Sequence, residues 1–509
     1  MHSPPLPHMS SSSIEQSTLF QASNQVNPHL PKLSTDKTDS LPGRHPAPTI
    51  RSSRVLIAGG GFGGLLLAIL LDRLGVPFYF FEGGAKIQHL GGALCLGPSV
   101  LAVLEQLGLT SILASVSLPC RSLDIYDSKL KLQGSVGMKG TMDATGYEDI
   151  VCTRLNLYEL LMAQLDPDSI VMGKKILSFE ENELGVNVCC SDNTIYCGDI
   201  LVGADGIQSR IRQVLYRTLS KKGLLSRSDK ERFTPHYVFV AGVAKQQSPE
   251  KYPALKRPFV HFSTVVGPKG TGWHAVNIPD DQICWAMWKP VDRSGLSQEE
   301  SFENVEFDHT EPVVKSFRSM PCPLGGLMGE LVDTTSDDLR SQVYVESRLF
   351  DTWYHGRTVL LGDACHSLLP WAGLGEANEI HDAVVLANCL LELKDLSLRN
   401  ITNAFRDYHA QRYPRVKSQF SSTRTATKLI VGQSFTERLT RYAFLNWLPS
   451  SMRQRLFDDH AAYRPQVSFI PKAENRGTAA VVPMKPTRRW TEEEVTRRIS
   501  AVWGRRSTI

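Results

Sequence analysis

Six residues constrain this chain more than any others: Gly59-Gly60-Gly61-Phe62-Gly63-Gly64, set between the apolar run Val55-Leu56-Ile57-Ala58 and a second apolar stretch from Leu65 to Leu74. Phe78-Tyr79-Phe80-Phe81-Glu82 follows as another run rich in aromatics. That order predicts strand, tight turn, helix, strand: one βαβ unit on a buried parallel sheet. Gly59, Gly61 and Gly64 satisfy the G-x-G-x-x-G spacing of a dinucleotide-binding turn. The first glycine permits the turn, the second admits a pyrophosphate beside the backbone, and the third lets helix pack on strand. Phe62 opens the helix, whose N-terminus faces the phosphates. Glu82 ends the second strand, eighteen residues after Gly64, where an acid accepts hydrogen bonds from an adenosine ribose.

Composition removes several other classes. With 509 residues, 42% hydrophobic and 21% charged, the chain can bury a sizeable core and is neither collagen-like nor mainly disordered. The net charge is +4, of which residues 471–509 contribute +5 (nine Lys/Arg against four Glu), so the body is near neutral and nucleic acid is not an expected partner. Ten scattered cysteines without a C-x-x-C pair suggest neither a metal site nor a disulfide framework, and point to a reducing, cytoplasmic compartment. The N-terminus lacks a basic segment followed by an apolar stretch, so no secretory or transit peptide is expected. No run reaches the roughly 18 apolar residues of a membrane span. The aromatic-rich segment from Tyr442 to Leu448 could touch a membrane peripherally, although a buried helix is the stronger expectation.

Residues 1–50 hold eight Pro, nine Ser and one aromatic residue, and read as a disordered leader. Residues 51–230 read as the first part of a nucleotide-binding domain, carrying portions of a second sheet. Strand-like segments at 186–190, 237–243, 259–266 and 283–288 suggest that this inserted sheet is mixed or antiparallel, with residues 231–350 as its main part. Residues 351–395 return to the nucleotide-binding domain through the strand Thr358–Leu361 and a helix from about Ala377 to Lys394. Helices fill 396–465, and 466–509 form a basic tail. There Thr491-Glu-Glu-Glu494 is a capping-box pattern, and Arg497 and Arg498 suit the far end of a solvated helix.

Two later segments each deliver an aspartate and glycine from an apolar strand into a turn. One is Asp199-Ile-Leu-Val-Gly203-Ala204-Asp205-Gly206, running on to Arg212; the other is Gly362-Asp363-Ala364-Cys365-His366-Ser367-Leu-Leu-Pro370-Trp-Ala-Gly373-Leu374-Gly375, leading into Asp382-Ala383. With these three motifs in order over residues 54–420, the chain resembles the single-component FAD-dependent aromatic hydroxylases, the p-hydroxybenzoate hydroxylase-like flavoprotein monooxygenases. Supporting matches are Gly91 to Leu109, Arg154-Leu-Asn-Leu-Tyr-Glu-Leu-Leu, and Tyr408 with Arg412-Tyr-Pro-Arg415. The closing segment from Tyr463 resembles fungal secondary-metabolism members.

The resemblance implies an α/β fold: a Rossmann-like FAD-binding domain with an inserted mixed or antiparallel substrate sheet and C-terminal helices. It implies that Asp363 binds the ribityl chain and that Gly373, Leu374 and Gly375 offer backbone amides to the flavin pyrimidine end. Arg154 would lie near the ribityl or phosphate region, Asp205 and Gly206 would serve FAD and reduced nicotinamide, and Pro370 would lie beside the reactive face. Asn378 stands one place later than the family's Gly-x-Gly-Ala-Asn pattern. Cys365 reads as packing. No second G-x-G-x-x-G occurs in a βαβ setting, so NADPH or NADH would bind transiently.

The implied reaction is reduction of FAD by NAD(P)H, O2 addition to give a C4a-hydroperoxyflavin, and hydroxylation or epoxidation of an aromatic or polyene small molecule. A flavin-dependent reductase or oxidase, and a redox-inactive flavin-binding protein, are the competing readings. For the pocket wall, strand alternation puts either His261 and Ser263 or Phe262 and Thr264 on one face, with Trp273, His274, Trp285 and Trp288 as aromatic surface. No general base is evident.

Overall fold

A computed structural model describes residues 50–84, 92–231, 235–291, 310–449, 452–453, 460–482, 484–485 and 490–504. The expected leader, apart from Ile50, and Gly91 of the supporting motif lie outside these residues. The first strand, Ile50–Ser52, begins at the expected boundary between leader and domain and pairs in parallel with Ile195–Gly198.

The glycine-rich motif sits in a six-stranded sheet ordered Tyr354–His355, Thr358–Leu360, Ile200–Gly203, Val55–Ala58, Phe78–Glu82, Ile170–Met172. All neighbours are parallel except the first pair. Val55–Ala58 and Ile200–Gly203 are buried along their whole length, as strands covered on both faces must be. The fingerprint helix, Phe62–Leu74, is buried on nearly every side and ends at Gly75 in the left-handed conformation (φ 71°). Packed against it is the helix Gly375–Leu391, which begins where the third motif ends.

A nine-stranded sheet is drawn from three stretches of chain. Its path runs Arg340–Val345, Tyr237–Ala244, Gln282–Pro290, Gly272–Ile278, Val260–Val266, Ser117–Asp127, Ile150–Thr153, Ala93–Leu96, with Leu132–Gly137 also paired to Ser117–Asp127. Only the contact between Val260–Val266 and Ser117–Asp127 is parallel. Val186–Cys190, expected in this sheet, instead joins a separate four-stranded sheet with Ile176–Glu181, Ile195–Gly198 and Ile50–Ser52. Short strands of similar apolar content carry no information about which sheet they join, because register and partner are set by contacts distant in sequence.

Alternation along the large sheet corrects half of the aromatic surface expected of it. Trp273 and Trp285 face a core closed by the helices Thr310–Phe317 and Met328–Asp333, and their indole N–H groups donate to Pro321 O and Thr335 Oγ1, each at 2.9 Å. His274 and Trp288, one residue out of phase with them, face the other way with Phe262 and Thr264.

The tail is more integrated than a solvated helix. Thr491 and Glu494 form the predicted capping box, opening the helix Glu492–Trp503. Ile499 and Trp503 are buried, and the Arg498 guanidinium donates to the carbonyls of Leu391, Glu392 and Leu393, capping the end of the Gly375–Leu391 helix. Val495, Ile499 and Trp503 recur every fourth residue, and that stripe docks the tail. The helix Phe435–Asn446 departs in the opposite direction: Leu445 is buried, but Tyr442 and Trp447 are exposed, against the expectation of a buried helix.

Candidate active site

One cavity of about 1830 Å³ runs from the glycine turn to the His274 face of the nine-stranded sheet. At the turn, Gly59 has φ 110°, and a Cβ there would fall 2.2 Å from Ala204 O, so no other residue fits. Gly60 N donates to Glu82 Oε2 at 3.0 Å and Gly84 N to Glu82 Oε1 at 2.7 Å. Each carboxylate oxygen keeps a lone pair for a ligand hydroxyl. Gly59, Gly61 and Glu82 line the cavity; Phe62 and Gly64 do not. Phe62 is fully buried under the Arg154 guanidinium, 4.7 Å from its ring, and Gly64 packs on Gly59 O. Both support the turn from behind.

Arg154 opens the helix Arg154–Met162, where Thr153 Oγ1 accepts from Asn156 N at 2.9 Å. Its Nη1 donates to Glu376 Oε1 at 2.7 Å. Glu379, one turn further along the same helix as Glu376, accepts from Gly63 N at 3.1 Å. These two acids lie close to Asp363: burial first, then the charges of Glu379 and Glu376, hold the Asp363 carboxyl well above the usual carboxylate range. Sequence reasoning placed Asp363 and Arg154 here but missed both glutamates, because their inward direction depends on how the helix docks.

Asp205 lines the cavity, but its carboxylate already has partners: it accepts from Ser209 Oγ, from Arg210 N at 2.6 Å and from Ile211 N at 3.0 Å, at the start of the helix Arg210–Lys221. Its first task is to fix the turn that presents Gly206, whose φ is 75°. Pro370, Gly373, Leu374 and Gly375 line the cavity together, with Gly373 at φ 61°. Behind them Asp382 is fully buried and accepts from Gly362 N at 2.8 Å, His366 Nε2 at 2.6 Å and Arg412 Nε at 2.6 Å. Arg412 also reaches Asn378 Oδ1 at 2.7 Å. The displaced asparagine thus belongs to this buried network. Cys365, His366 and Asp382 offer atoms within 4.8 Å of one another, as metal ligands would, but the positive charge beside Asp382 is supplied by Arg412. Cys365 is buried, and burial raises its thiol far above the ordinary value.

The far wall is aromatic. Phe239 stacks on Trp288 with centroids 5.6 Å apart, and Trp371, next to Pro370, meets Phe239 at 5.4 Å and Trp288 at 6.0 Å. His274 lies edge-on to Phe262 at 5.0 Å, and burial lowers its pKa to about 4, leaving it neutral. His261 faces away from the chamber, with Ser122 Oγ 2.5 Å from its Nδ1.

The model of a family described as "FAD binding domain" matches residues 52–228 and 330–422, more than half of the chain and all three motifs. The chain belongs to this family, as a flavoprotein monooxygenase of the p-hydroxybenzoate hydroxylase-like type. Among its relatives are a FAD-dependent monooxygenase, ptmM, of Penicillium ochrochloron, 27% identical over 73% of this chain and 87% of that one. Another, ausM of Penicillium brasilianum, is 26% identical over 84% and 89%. Klebsiella pneumoniae HpxO, solved with FAD and uric acid, shares the fold with a TM-score of 0.64 at 22% identity, covering 80% of this chain and 96% of that one.

The residues of this flavoprotein fit FAD. A side chain at Gly59 or Gly60 would fill the cradle, since a Cβ on Gly60 would meet Glu82 Oε2 at 2.1 Å. A carboxylate stands at Glu82, a buried carboxyl at Asp363, a cation at Arg154, and a glycine turn leads into a helix N-terminus at Gly375, all around one cavity.

Proposed function

We propose that this flavoprotein monooxygenase takes NADPH or NADH as a transient reductant and O2 as co-substrate to hydroxylate or epoxidise a small hydrophobic aromatic or polyene molecule, in secondary-metabolite biosynthesis. The observation that carries this reading is the continuity of the cavity. The turn from Pro370 to Gly375 and the wall of Phe239, Phe262, Trp288 and Trp371 line the same space, so a flat apolar molecule held by the wall lies beside the flavin turn. FAD supplies the redox and oxygen-activating chemistry when bound.

The chain's own residues have narrower tasks. Glu82 and the glycine turn hold the adenosine and pyrophosphate, and Asp363 takes the ribityl hydroxyls. The amides around Gly373–Gly375, at the positive end of a helix, favour negative charge on the reduced ring. The aromatic wall positions substrate and excludes water. His274, neutral at physiological pH, can orient a polar group without bringing charge into the chamber.

The test is rapid mixing of the FAD-loaded protein. NADPH or NADH should bleach the flavin anaerobically, and ¹⁸O₂ should label the product of substrates taken from a panel of phenols and polyenes. Unlabelled product would move the assignment to a reductase or oxidase.

We also propose that the protein works in the cytoplasm in peripheral contact with a membrane surface. Phe435, Leu439, Tyr442 and Trp447 are exposed on and just beyond the Phe435–Asn446 helix, beside Arg438, while Phe444 and Leu445 of the same segment line the cavity. Among the described residues no helix is long and apolar enough to cross a membrane. Flotation with anionic vesicles should carry the protein, and Phe435→Ser with Trp447→Ser should abolish it.

A further inference from the structure

Strand register arranges the chamber face of the nine-stranded sheet in rows. One row pairs Trp288 with Phe239, and Trp371 of the flavin turn packs on both. Two residues away along each strand, the next row runs Ile125, Thr264, His274, Ala286, Ala241, each paired with the next. All five line the cavity. Ala286 and Ala241 leave room for a flat ligand against the sheet, and the cross-strand pair Thr264 and His274 supplies the polar groups at its edge. The fold itself makes no use of them. Among the described residues, Thr264 Oγ1 and the two ring nitrogens of His274 have no hydrogen-bond partner. The contacts of His274 are with rings, Phe262 at 5.0 Å and Trp288 at 6.1 Å. Both side chains keep exposed surface on the cavity, and their polar atoms are not sealed in as Trp288 Nε1 is. On the other face of the strand Val260–Val266, by contrast, Ser263 Oγ donates to His261 O and the His261 ring meets Ser122 Oγ. Polar groups that open onto an apolar chamber lose their water when a ligand fills it, at a cost unless the ligand replaces the lost hydrogen bonds.

We propose that His274 and Thr264 together receive a neutral hydroxyl of the substrate, so that the substrate is a flat apolar molecule bearing a phenol or alcohol, and is neither a bare hydrocarbon nor an anion. This deepens the monooxygenase reading and rests on it. A neutral imidazole offers one donor and one acceptor, and a threonine hydroxyl can serve as either. A ligand hydroxyl, which also donates and accepts, meets both side chains at once. A carbonyl or ether only accepts and leaves the imidazole lone pair unmet. The rest of the row is Ile125, Ala286 and Ala241, so it offers an anion no counter-charge. The pair therefore sets specificity at the wall and takes no part in the oxygen chemistry at the flavin turn.

The experiment uses the FAD-loaded full chain and three probes built on one ring system: 2-naphthol, 2-fluoronaphthalene and 2-naphthoate. Binding is measured by equilibrium dialysis. The naphthol should bind about 10-fold more tightly than the fluoro analogue, as expected when buried polar groups gain or lose their partner, and the naphthoate most weakly. His274→Phe keeps an aromatic ring at the site and should erase the preference for naphthol while leaving fluoronaphthalene affinity and flavin content unchanged. Thr264→Val should reduce the preference, and His274→Gln, which restores a donor and an acceptor, should recover part of it. Equal affinities for naphthol and fluoronaphthalene in the unmodified protein, a preference that survives His274→Phe, or no binding of naphthol would overturn the proposal. Tighter binding of naphthoate than naphthol would overturn the choice of a neutral group. Should His274→Phe lose its flavin, the probe series in the unmodified protein and Thr264→Val decide. Flavin bleaching by NAD(P)H and ¹⁸O₂ labelling, measured on the same preparation, report separately on the monooxygenase reading.

Discussion

The Glu379 carboxylate accepts a hydrogen bond from Gly63 N at 3.1 Å, in the first turn of the fingerprint helix. That turn is where a dinucleotide places its phosphates, so the chain sets a carboxyl, whose pKa burial raises, beside the site for an external anion. A Cβ on Gly61 would itself fall 3.3 Å from Glu379 Oε2. Replacing the charge while keeping the shape, Glu379→Gln, should tighten FAD binding on the order of tenfold. Titration of apoprotein with FAD, followed by flavin fluorescence quenching, checks this. Weaker binding in the variant would show that Glu379 serves to order the turn.

Glu82 acts in the opposite sense. Its two oxygens accept from Gly60 and Gly84, so it shapes the turn, and in the proposed function it also presents acceptors to a ribose. Glu82→Ala should weaken FAD about 10- to 100-fold, as expected for loss of a charge-assisted hydrogen bond. Unchanged affinity in the same titration would remove Glu82 from the site.

The ion pair of Asp382 with Arg412 is fully buried, and His366 and Gly362 N share the carboxylate. Removing one partner leaves an uncompensated charge, so Arg412→Leu should cost about 3–5 kcal/mol in urea denaturation. Paired with His366 and Arg412, the Asp382 carboxyl is held below the usual carboxylate range despite the opposing effect of burial. Its contribution is thus present above its unfolded pKa and lost as pH falls toward the folded value. The stability gap between unmodified protein and Asp382→Asn should narrow in strong acid.

Asp149 gives the reverse pH signature. Its pKa is raised from 3.8 to about 6, so the folded state favours the protonated form and the ionised carboxylate is a standing cost. That cost is complete above pH 6 and fades as pH falls toward 3.8. Asp149→Asn should therefore stabilise the protein at pH 7.5 by up to about 3 kcal/mol and have little effect below pH 4. Paired denaturation curves at the two pH values would show it; a destabilised variant at pH 7.5 would mean that the carboxylate is satisfied within the fold.

Short-range rules made part of this molecule legible. Gly59 needs its positive φ, Gly64 must contact Gly59 O, and Glu82 ends its strand where the spacing from Gly64 says it should. The capping box of the tail was equally readable, because Thr491 and Glu494 satisfy each other within one turn. Phe262 and Thr264 were bound to share a face by strand period, though which face remained open. The family followed from three such local motifs in one order.

Contacts between distant segments decided the rest. The acid ring of Asp363, Glu376 and Glu379 depends on how one helix docks against another, and the side-chain partners of Asp382 stand 16 and 30 residues away. Trp285 and Trp288 look alike in the sequence, yet one is committed to core and the other to the chamber. The tail helix reads as solvated until Arg498 meets the carbonyls of Leu391, Glu392 and Leu393. Local sequence determined the turns, caps and strand faces because their energies are settled within a few residues. Only tertiary structure could decide which carboxylates are buried, paired or left facing the cavity, because the cost of a charge depends on everything packed around it.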